Sequence, residues 1–364
     1  MTPKTAIRAE AEALYAAIAA TGAVPVDADV LLPAETLLDL YGEDIRARAY
    51  VTHDPVRGEM MLRPDFTVPV VQAHMAHGAE PARYCYMGEV FRQQYHAGPR
   101  QSEYVQVGYE VFDGSDPLAA DAEVFALFSQ VLQPLGLRAS TGDTGILRAA
   151  VLGLNTTERR KAALLRHLWR PRRFRALLDR FAGRTPVPEA RLHLLQQLGA
   201  GENPQANVVH TGLRSVAEIA ERLTALQDDA AAAPIPADEV ARLEAVLTVA
   251  EKCPTALEHL RGMANVMPAL TPAVTRLEAR LKALSNKGID VADLDFEASY
   301  GRTTMEYYDG FVFGFYAAGE ADLPPVASGG RYDALTAVLG QGRSIPAVGG
   351  VMRPGLVARL RGVL

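Results

Sequence analysis

Two runs, ARYCYMGEVFRQ at residues 82–93 and SEYVQVGYEVFD at residues 102–113, constrain the fold more than any other feature of the chain. Both are rich in β-branched and aromatic residues and a short polar loop separates them, so they read as paired strands. RAYVTH, the turn residues DPVRG and EMMLRP, together spanning residues 48–64, read as a second pair. Strands joined by loops this short run antiparallel, because parallel neighbours need long crossovers. The expectation is an antiparallel sheet.

Helical periodicity surrounds it. Ile7, Ala11, Leu14, Tyr15 and Ile18 recur at helix spacing with Thr21-Gly22 as the stop, and Asp116 to Leu135 repeats the pattern up to Gly136. From about Asn155 to Ser285 the chain is rich in Ala, Leu and Arg, with helix patterns separated by Pro and Gly, and reads as a helical insertion. Within it the alanine run Asp229 to Ala233 reads as a surface linker. Strand signals resume in FEASYGRTTMEYYDGFVFGFY, and VASGGRYDALTAVLG with IPAVGGVMRPGLVARL supplies glycine turns and two short helices. Sheet, helices and more sheet give one α+β core interrupted by a helical module. Residues 1–154 are the first part of the core, 155–288 the insertion and 289–364 the second part.

Charge and composition narrow the function. Hydrophobic residues at 49% and charged residues at 22% fit a folded soluble domain. Arg8, Glu10 and Glu12 interrupt the N-terminal apolar stretch, unlike a signal peptide, and no window reaches the roughly 18 apolar residues of a spanning helix. Cys85 and Cys253 form neither a metal nor a disulfide spacing, and His74 and His77 read as surface residues. The expectation is a cytoplasmic protein with no metal and no membrane contact. A net charge of −6 is the wrong sign for a chain that must neutralise many phosphates. Residues 158–184 depart from it: ten basic residues against Glu158 and Asp179 make that stretch +8 and the remainder −14. They read as the solvated face of a helix pair around Trp169, the alternative being a phosphate contact for RNA. Gly329-Gly330 reads as a tight turn beside a pocket, without the context of a dinucleotide site.

VFRQQYHAGPRQSEYVQVGYE at residues 90–110 resembles the second signature motif of class II aminoacyl-tRNA synthetases, most closely the histidyl enzymes. Phe91-Arg92 stands on the Phe-Arg of that motif and Arg100 on a loop arginine. Glu103 and Tyr104 stand on an acidic-aromatic pair, and Gln106, Gly108 and Glu110 on the Gln, Gly and Glu that follow. MLRPDFTVP at residues 61–69 resembles the family's LRPEGT, EYYDGFVF at 306–313 its histidine-specific DYYTGxVF, and GGRYDAL with IPAVG the approach to its third motif. The four segments are collinear, and the resemblance covers about residues 5–150 and 290–356. It implies a class II synthetase-like antiparallel sheet flanked by helices.

A free amino acid presents an ammonium, a carboxylate and a side chain, so its pocket needs a carboxylate, a guanidinium and a few selective polar groups. The resemblance implies a histidine-binding set. Asp65 takes the ammonium, with Thr67 and Gln106 as neutral acceptors, and Arg92 takes the carboxylate by a paired hydrogen bond. Glu110 with Tyr307 or Tyr308 grips the ring nitrogens of an imidazole.

Departures lie on the side of the former ATP region, at Gln94, Arg100 and Leu356. Adenylation needs positive groups and metal ions around a pentavalent phosphorus. The family's Phe-Arg-x-Glu has become Phe91-Arg92-Gln93-Gln94, and Leu356 stands where a nearly obligatory ATP-binding arginine is expected, with Arg353 and Arg359 three residues to either side. A further family arginine aligns with Thr303, Arg302 being one position early. The sequence stops at Leu364, shortly after the third motif, so no anticodon-binding domain is expected. This combination resembles the regulatory subunits of ATP phosphoribosyltransferase, which are synthetase paralogues. It implies no catalytic residue, no cofactor and no tRNA. It also implies a short-form catalytic subunit as partner in a hetero-octamer of four and four, histidine as feedback effector, and a self-dimer through the region around Leu32-Pro33. The alternative is a truncated synthetase-like ligase that still adenylates an amino acid.

Overall fold

Helix α1 (Pro3–Ala19) opens the chain in the computed structural model, which describes residues 2–35, 38, 48–94, 101–204, 212, 214–301, 308–320 and 322–364. The Thr2 hydroxyl accepts the Thr5 amide at its start, and Ala11, Leu14 and Ile18 form its buried stripe. After β1 (Val24–Pro25) the chain builds a small sheet in the order β2-β4-β3 from β2 (Leu31–Pro33), β3 (Val51–Asp54) and β4 (Gly58–Leu62). The strand pair expected over residues 48–64 is therefore present, but it lies outside the main sheet. Helix α2 (Thr67–His77) leads into the long hairpin of β5 (Ala82–Phe91) and β6 (Glu103–Phe112), whose ladder runs from Ala82↔Phe112 to Phe91↔Glu103.

The main sheet continues with β7 (Arg138–Asp143), β8 (Ala250–Lys252), β9 (Asp295–Glu297), β10 (Phe311–Tyr316), β11 (Ala327–Arg331) and β12 (Ala347–Met352). Among the described residues its order is β1-β5-β6-β12-β11-β10-β7-β9-β8. Every pairing from β5 across to β7 is antiparallel, as expected, while β1 with β5 and β7 with β9 are parallel. The sheet is thus mixed. Both parallel pairs join strands separated by whole modules of chain, which supply the crossovers that parallel geometry needs.

Helices occupy both faces. Helix α3 (Pro117–Leu132) and α1 cover the face to which Val107, Tyr109 and Val111 of β6 point, and α2 covers part of the other, where Tyr86, Val90 and Phe112 lie. After α4 (Thr144–Leu152) the helices α5 (Glu158–Arg166), α6 (Pro171–Phe181), α7 (Glu189–Gly199), α8 (Val216–Ala231) and α9 (Ala237–Leu247) fill the stretch expected to be helical. The chain then supplies edge strand β8, α10 (Cys253–Ala264) and α11 (Thr271–Asn286), which packs on α3. One apolar cluster runs from α1 and α3 through Leu164, Phe174, Val240 and Leu260 to Leu281. Helices α12 (Asp333–Leu339) and α13 (Pro354–Leu360) follow β11 and β12. No helix of the described residues is long and apolar enough to cross a membrane.

Three local expectations need correction. The alanine run is anchored rather than a free linker: Arg160 donates to the Asp229 carboxylate at 2.6 Å and to the Ala233 carbonyl at 2.7 Å. His74 is buried, its Nδ1 3.0 Å from the Tyr84 hydroxyl and its ring 4.0 Å from that of Phe112. Gly329 and Gly330 are strand residues, paired with Gly350 and Gly349. A Cβ on Gly329 would stand 2.3 Å from the Gly349 carbonyl oxygen, so the glycines serve close packing within the sheet.

Candidate functional site

Glycine spacing on one face of the sheet positions the site. Register aligns Glu110, Gly349, Gly330, Val312 and Gly142 in one row across β6, β12, β11, β10 and β7, with Gly108, Val351, Ser328, Gly314 and Ser140 in the next. Large polar-tipped side chains lie across this glycine floor. A Cβ on Gly108 would meet Tyr86 Cζ at 2.1 Å, on Gly330 Tyr308 Cδ1 at 2.9 Å, on Gly314 the Tyr300 hydroxyl at 1.9 Å and on Gly349 the Glu110 Oε2 at 1.4 Å. Any larger residue at these positions would displace a tyrosine or the glutamate, so the bare backbone is what lets the groups converge.

Glu110 is the centre of the arrangement. Its Oε1 accepts the hydroxyls of Thr67 and Tyr86, each at 2.9 Å, and its Oε2 accepts that of Tyr332 at 2.6 Å. A carboxylate has about four acceptor positions, so one remains on Oε2. Burial pushes Glu110 up to about 7 despite the three hydroxyls, and the nearby Asp65 charge adds to the rise. Asp65 is itself buried at the start of α2, where its Oδ1 accepts the Val68 amide at 3.4 Å. The two acids and Thr67 therefore share one enclosed space.

Alternation along β6 puts Gln106 on the same face as Glu110. Gln106 is 1% exposed, and neither its Nε2 nor its Oε1 has a hydrogen-bond partner among the described residues. Buried amides are almost always satisfied, and one that is not points to a ligand or to water. Arg92, just beyond β5, is half-buried and its Nε donates to the Pro64 carbonyl at 2.8 Å. Tyr308 is buried over Gly330. Of the histidine-binding set, Asp65, Thr67, Gln106 and Glu110 gather around the floor with Tyr308, and Arg92 lies at its end. Tyr307 lies outside the described residues.

The former ATP positions divide. Gln94 is exposed, its Nε2 3.5 Å from the Arg92 carbonyl. Leu356 on α13 packs against the cluster that holds Leu14 and Ile18, on the opposite side of the sheet. Arg100 lies outside the described residues. Arg359 is exposed and pairs with Glu320 at 3.1 Å. No group of three metal-ligating side chains occurs among the described residues.

Sequence reasoning missed four contributors. Tyr86 and Tyr332 satisfy Glu110. The strand alternation that includes Tyr86 was a usable signal, whereas Tyr332 arrives from beyond β11 and carried none. Trp169, between α5 and α6, packs against the same apolar cluster as Tyr86, Tyr308 and Tyr332. Arg353, just past β12, is within electrostatic reach of Arg92, Tyr104 and Tyr308.

Known proteins with the same pattern place the chain. A family model described as histidyl-tRNA synthetase matches residues 3–354. The ATP phosphoribosyltransferase regulatory subunit of Brucella anthropi is 32% identical over 89% of this chain and 89% of its own length. That of Rhizobium rhizogenes is also 32% identical, over 92% of this chain and 93% of its own. A Bacillus halodurans structure described as an ATP phosphoribosyltransferase regulatory subunit/histidyl-tRNA synthetase superposes with a TM-score of 0.68 at 20% identity, covering 98% of this chain and 79% of that one, which shows a shared fold. The chain belongs to the histidyl-tRNA synthetase family and, within it, to the ATP phosphoribosyltransferase regulatory subunits.

Proposed function

We propose that this chain is the non-catalytic regulatory subunit of an ATP phosphoribosyltransferase, activating a short-form catalytic subunit and carrying feedback inhibition by histidine. The observation that carries this reading is a contrast between the pocket and the positions aligned with the former ATP region. A buried polar set suited to an amino acid surrounds a Gln106 amide with no hydrogen-bond partner among the described residues, while Gln94 is uncharged and exposed and Leu356 is packed behind the sheet. The names of the relatives support the same role.

In this reading Asp65 holds the ligand ammonium and Arg92 its carboxylate. The remaining Oε2 position of Glu110, with Tyr307 or Tyr308, meets the imidazole. Histidine then inhibits only by binding two states of the complex with different affinity, since equal affinity shifts no equilibrium. The assembly is a hetero-octamer of four and four, in which this subunit dimerises near Leu32-Pro33. Val30, Val51 and Val56 are exposed on and beside the small sheet there, which supports an apolar contact.

Mixing the chain with a short-form ATP phosphoribosyltransferase and following its rate against histidine concentration tests the proposal. Activation of the catalytic subunit and histidine-dependent inhibition are expected. No activation, together with unchanged histidine sensitivity, overturns the reading. The adenylating alternative predicts exchange of labelled pyrophosphate into ATP in the presence of histidine, and the regulatory reading predicts none.

A further inference from the structure

Arg353 occupies a position that the amino-acid pocket has not yet used. The last registered pair between β12 and β6 is Met352↔Val107, so the next step along both strands sets Arg353 beside Gln106. Its guanidinium lies near Arg92, Tyr104 and Tyr308, three residues that belong to or border the site. Nη1 donates to the Pro325 carbonyl, and no carboxylate pairs with Arg353 among the described residues. Burial, followed by the positive charge of Arg92, lowers its hold on its proton, while Tyr104 opposes the shift.

A half-buried guanidinium beside a second one, with no carboxylate partner among the described residues, is costly. The adjacent Gln106 amide is buried and has no hydrogen-bond partner among the described residues. Both deficits are relieved by a single group with negative charge and more than one acceptor oxygen. A carboxylate fits, because guanidinium nitrogens bind its two oxygens and an amide Nε2 can donate to either. A free amino acid seated with its ammonium toward Asp65 brings such a group to this end of the floor.

Building on the amino-acid pocket described above, we propose that Arg353 joins Arg92 in holding the carboxylate of the ligand, so that the pocket selects amino acids over the corresponding amines. The second guanidinium comes from the end of β12 and makes Arg353 a specificity-determining residue.

Calorimetric titration of the full chain with histidine and with histamine, which lacks the carboxylate, tests this assignment. The unaltered protein should prefer histidine by about tenfold or more. Arg353→Ala should weaken histidine binding roughly ten- to a hundredfold, the range of a lost charge-assisted hydrogen bond, and leave histamine within about threefold. Arg353→Lys should fall between. Retained histamine binding also reports that the variant has folded, and Arg353→Gln, which keeps a donor toward Pro325, decides the matter if the alanine variant does not fold. Undiminished histidine affinity in a folded variant overturns the assignment while leaving the amino-acid pocket standing. In a companion titration with pyrophosphate, loss of pyrophosphate binding in Arg353→Ala with histidine binding unchanged also overturns it, since the anion held would then be a phosphate. Absence of histidine binding in the unaltered protein removes the pocket reading and this inference with it.

Discussion

Glu110 shows how much of the site depends on single contacts. Three hydroxyls satisfy its carboxylate, yet removal from water still raises it from an ordinary value of 4.5 to about 7. Between those values the folded state binds more protons than the unfolded chain. Its contribution to stability is therefore fully present below about pH 4.5 and lost as pH rises through about 7. The full effect is at most about 3 kcal/mol. Glu110→Gln keeps the volume and an acceptor oxygen but cannot ionise. Urea unfolding at pH 5 and pH 8 should show the unaltered protein losing more stability over that interval than the variant, by about 1 to 3 kcal/mol. Equal losses would mean that Glu110 is ionised throughout. The residue was legible in the sequence as a site position because Gln106, Gly108 and Glu110 stand on the Gln, Gly and Glu of the motif that the segment resembles. Of its partners, Tyr86 could be placed on a strand face by alternation, but Tyr332 could not, and that either hydroxyl meets Glu110 is decided by the fold.

Between elements, the strongest tie is a buried ionic group that joins distant parts of the chain. Arg280 of α11 donates to Asp121 of α3 at 2.8 Å and to Asp143 at the end of β7 at 2.7 Å, with its guanidinium 4.8 Å from the Phe311 ring centroid. Arg331 of β11 reaches the other oxygen of Asp121 at 2.7 Å and Asp333 at 3.0 Å. These contacts fix α11 to the sheet, which is why the end of the stretch read from sequence as insertion is bound into the core. Arg280→Ala leaves Asp143 buried without its cation and should cost about 3–5 kcal/mol, measured as a fall in the urea midpoint. A change below about 1 kcal/mol would show that water or Arg331 replaces the lost charge. Helical spacing announced α11, but the partners of Arg280 lie 137 and 159 positions away in sequence. No local pattern carries that information.

At the scale of the whole molecule, the uneven charge has a partly internal explanation. Within the basic stretch, Arg160 pairs with Asp229, Lys161 with Glu158, and Arg175 and Arg184 with Glu244. Other members, including Arg159, Arg166, Arg172 and Arg173, are exposed, as a solvated helix pair requires. Trp169 between those helices packs against the apolar cluster that holds Tyr86, Tyr308 and Tyr332, so the helical module is tied to the core on the site's side of the sheet. The proposed assembly separates binding from association. Sedimentation of the chain with a short-form catalytic subunit should give one faster boundary with the mass of four and four. Arg92→Ala should preserve that boundary while shifting histidine inhibition to at least about tenfold higher concentration, as loss of a carboxylate contact implies. Loss of the boundary in that variant would place Arg92 in the association surface instead.

The sequence by itself determined the alternation that made β5 and β6 a hairpin, the helical periods, and four collinear segments that resemble one family. Those properties are local or ordered along the chain, so they survive without a fold. Tertiary structure decided the rest. It turned Gly330 and Gly349 from turn residues into a sheet floor, put Leu356 in the packing behind the sheet, and brought Arg353 beside Gln106. Each outcome depends on which strand neighbours which and on the register between them. Shifting a strand by one residue sends every side chain to the opposite face.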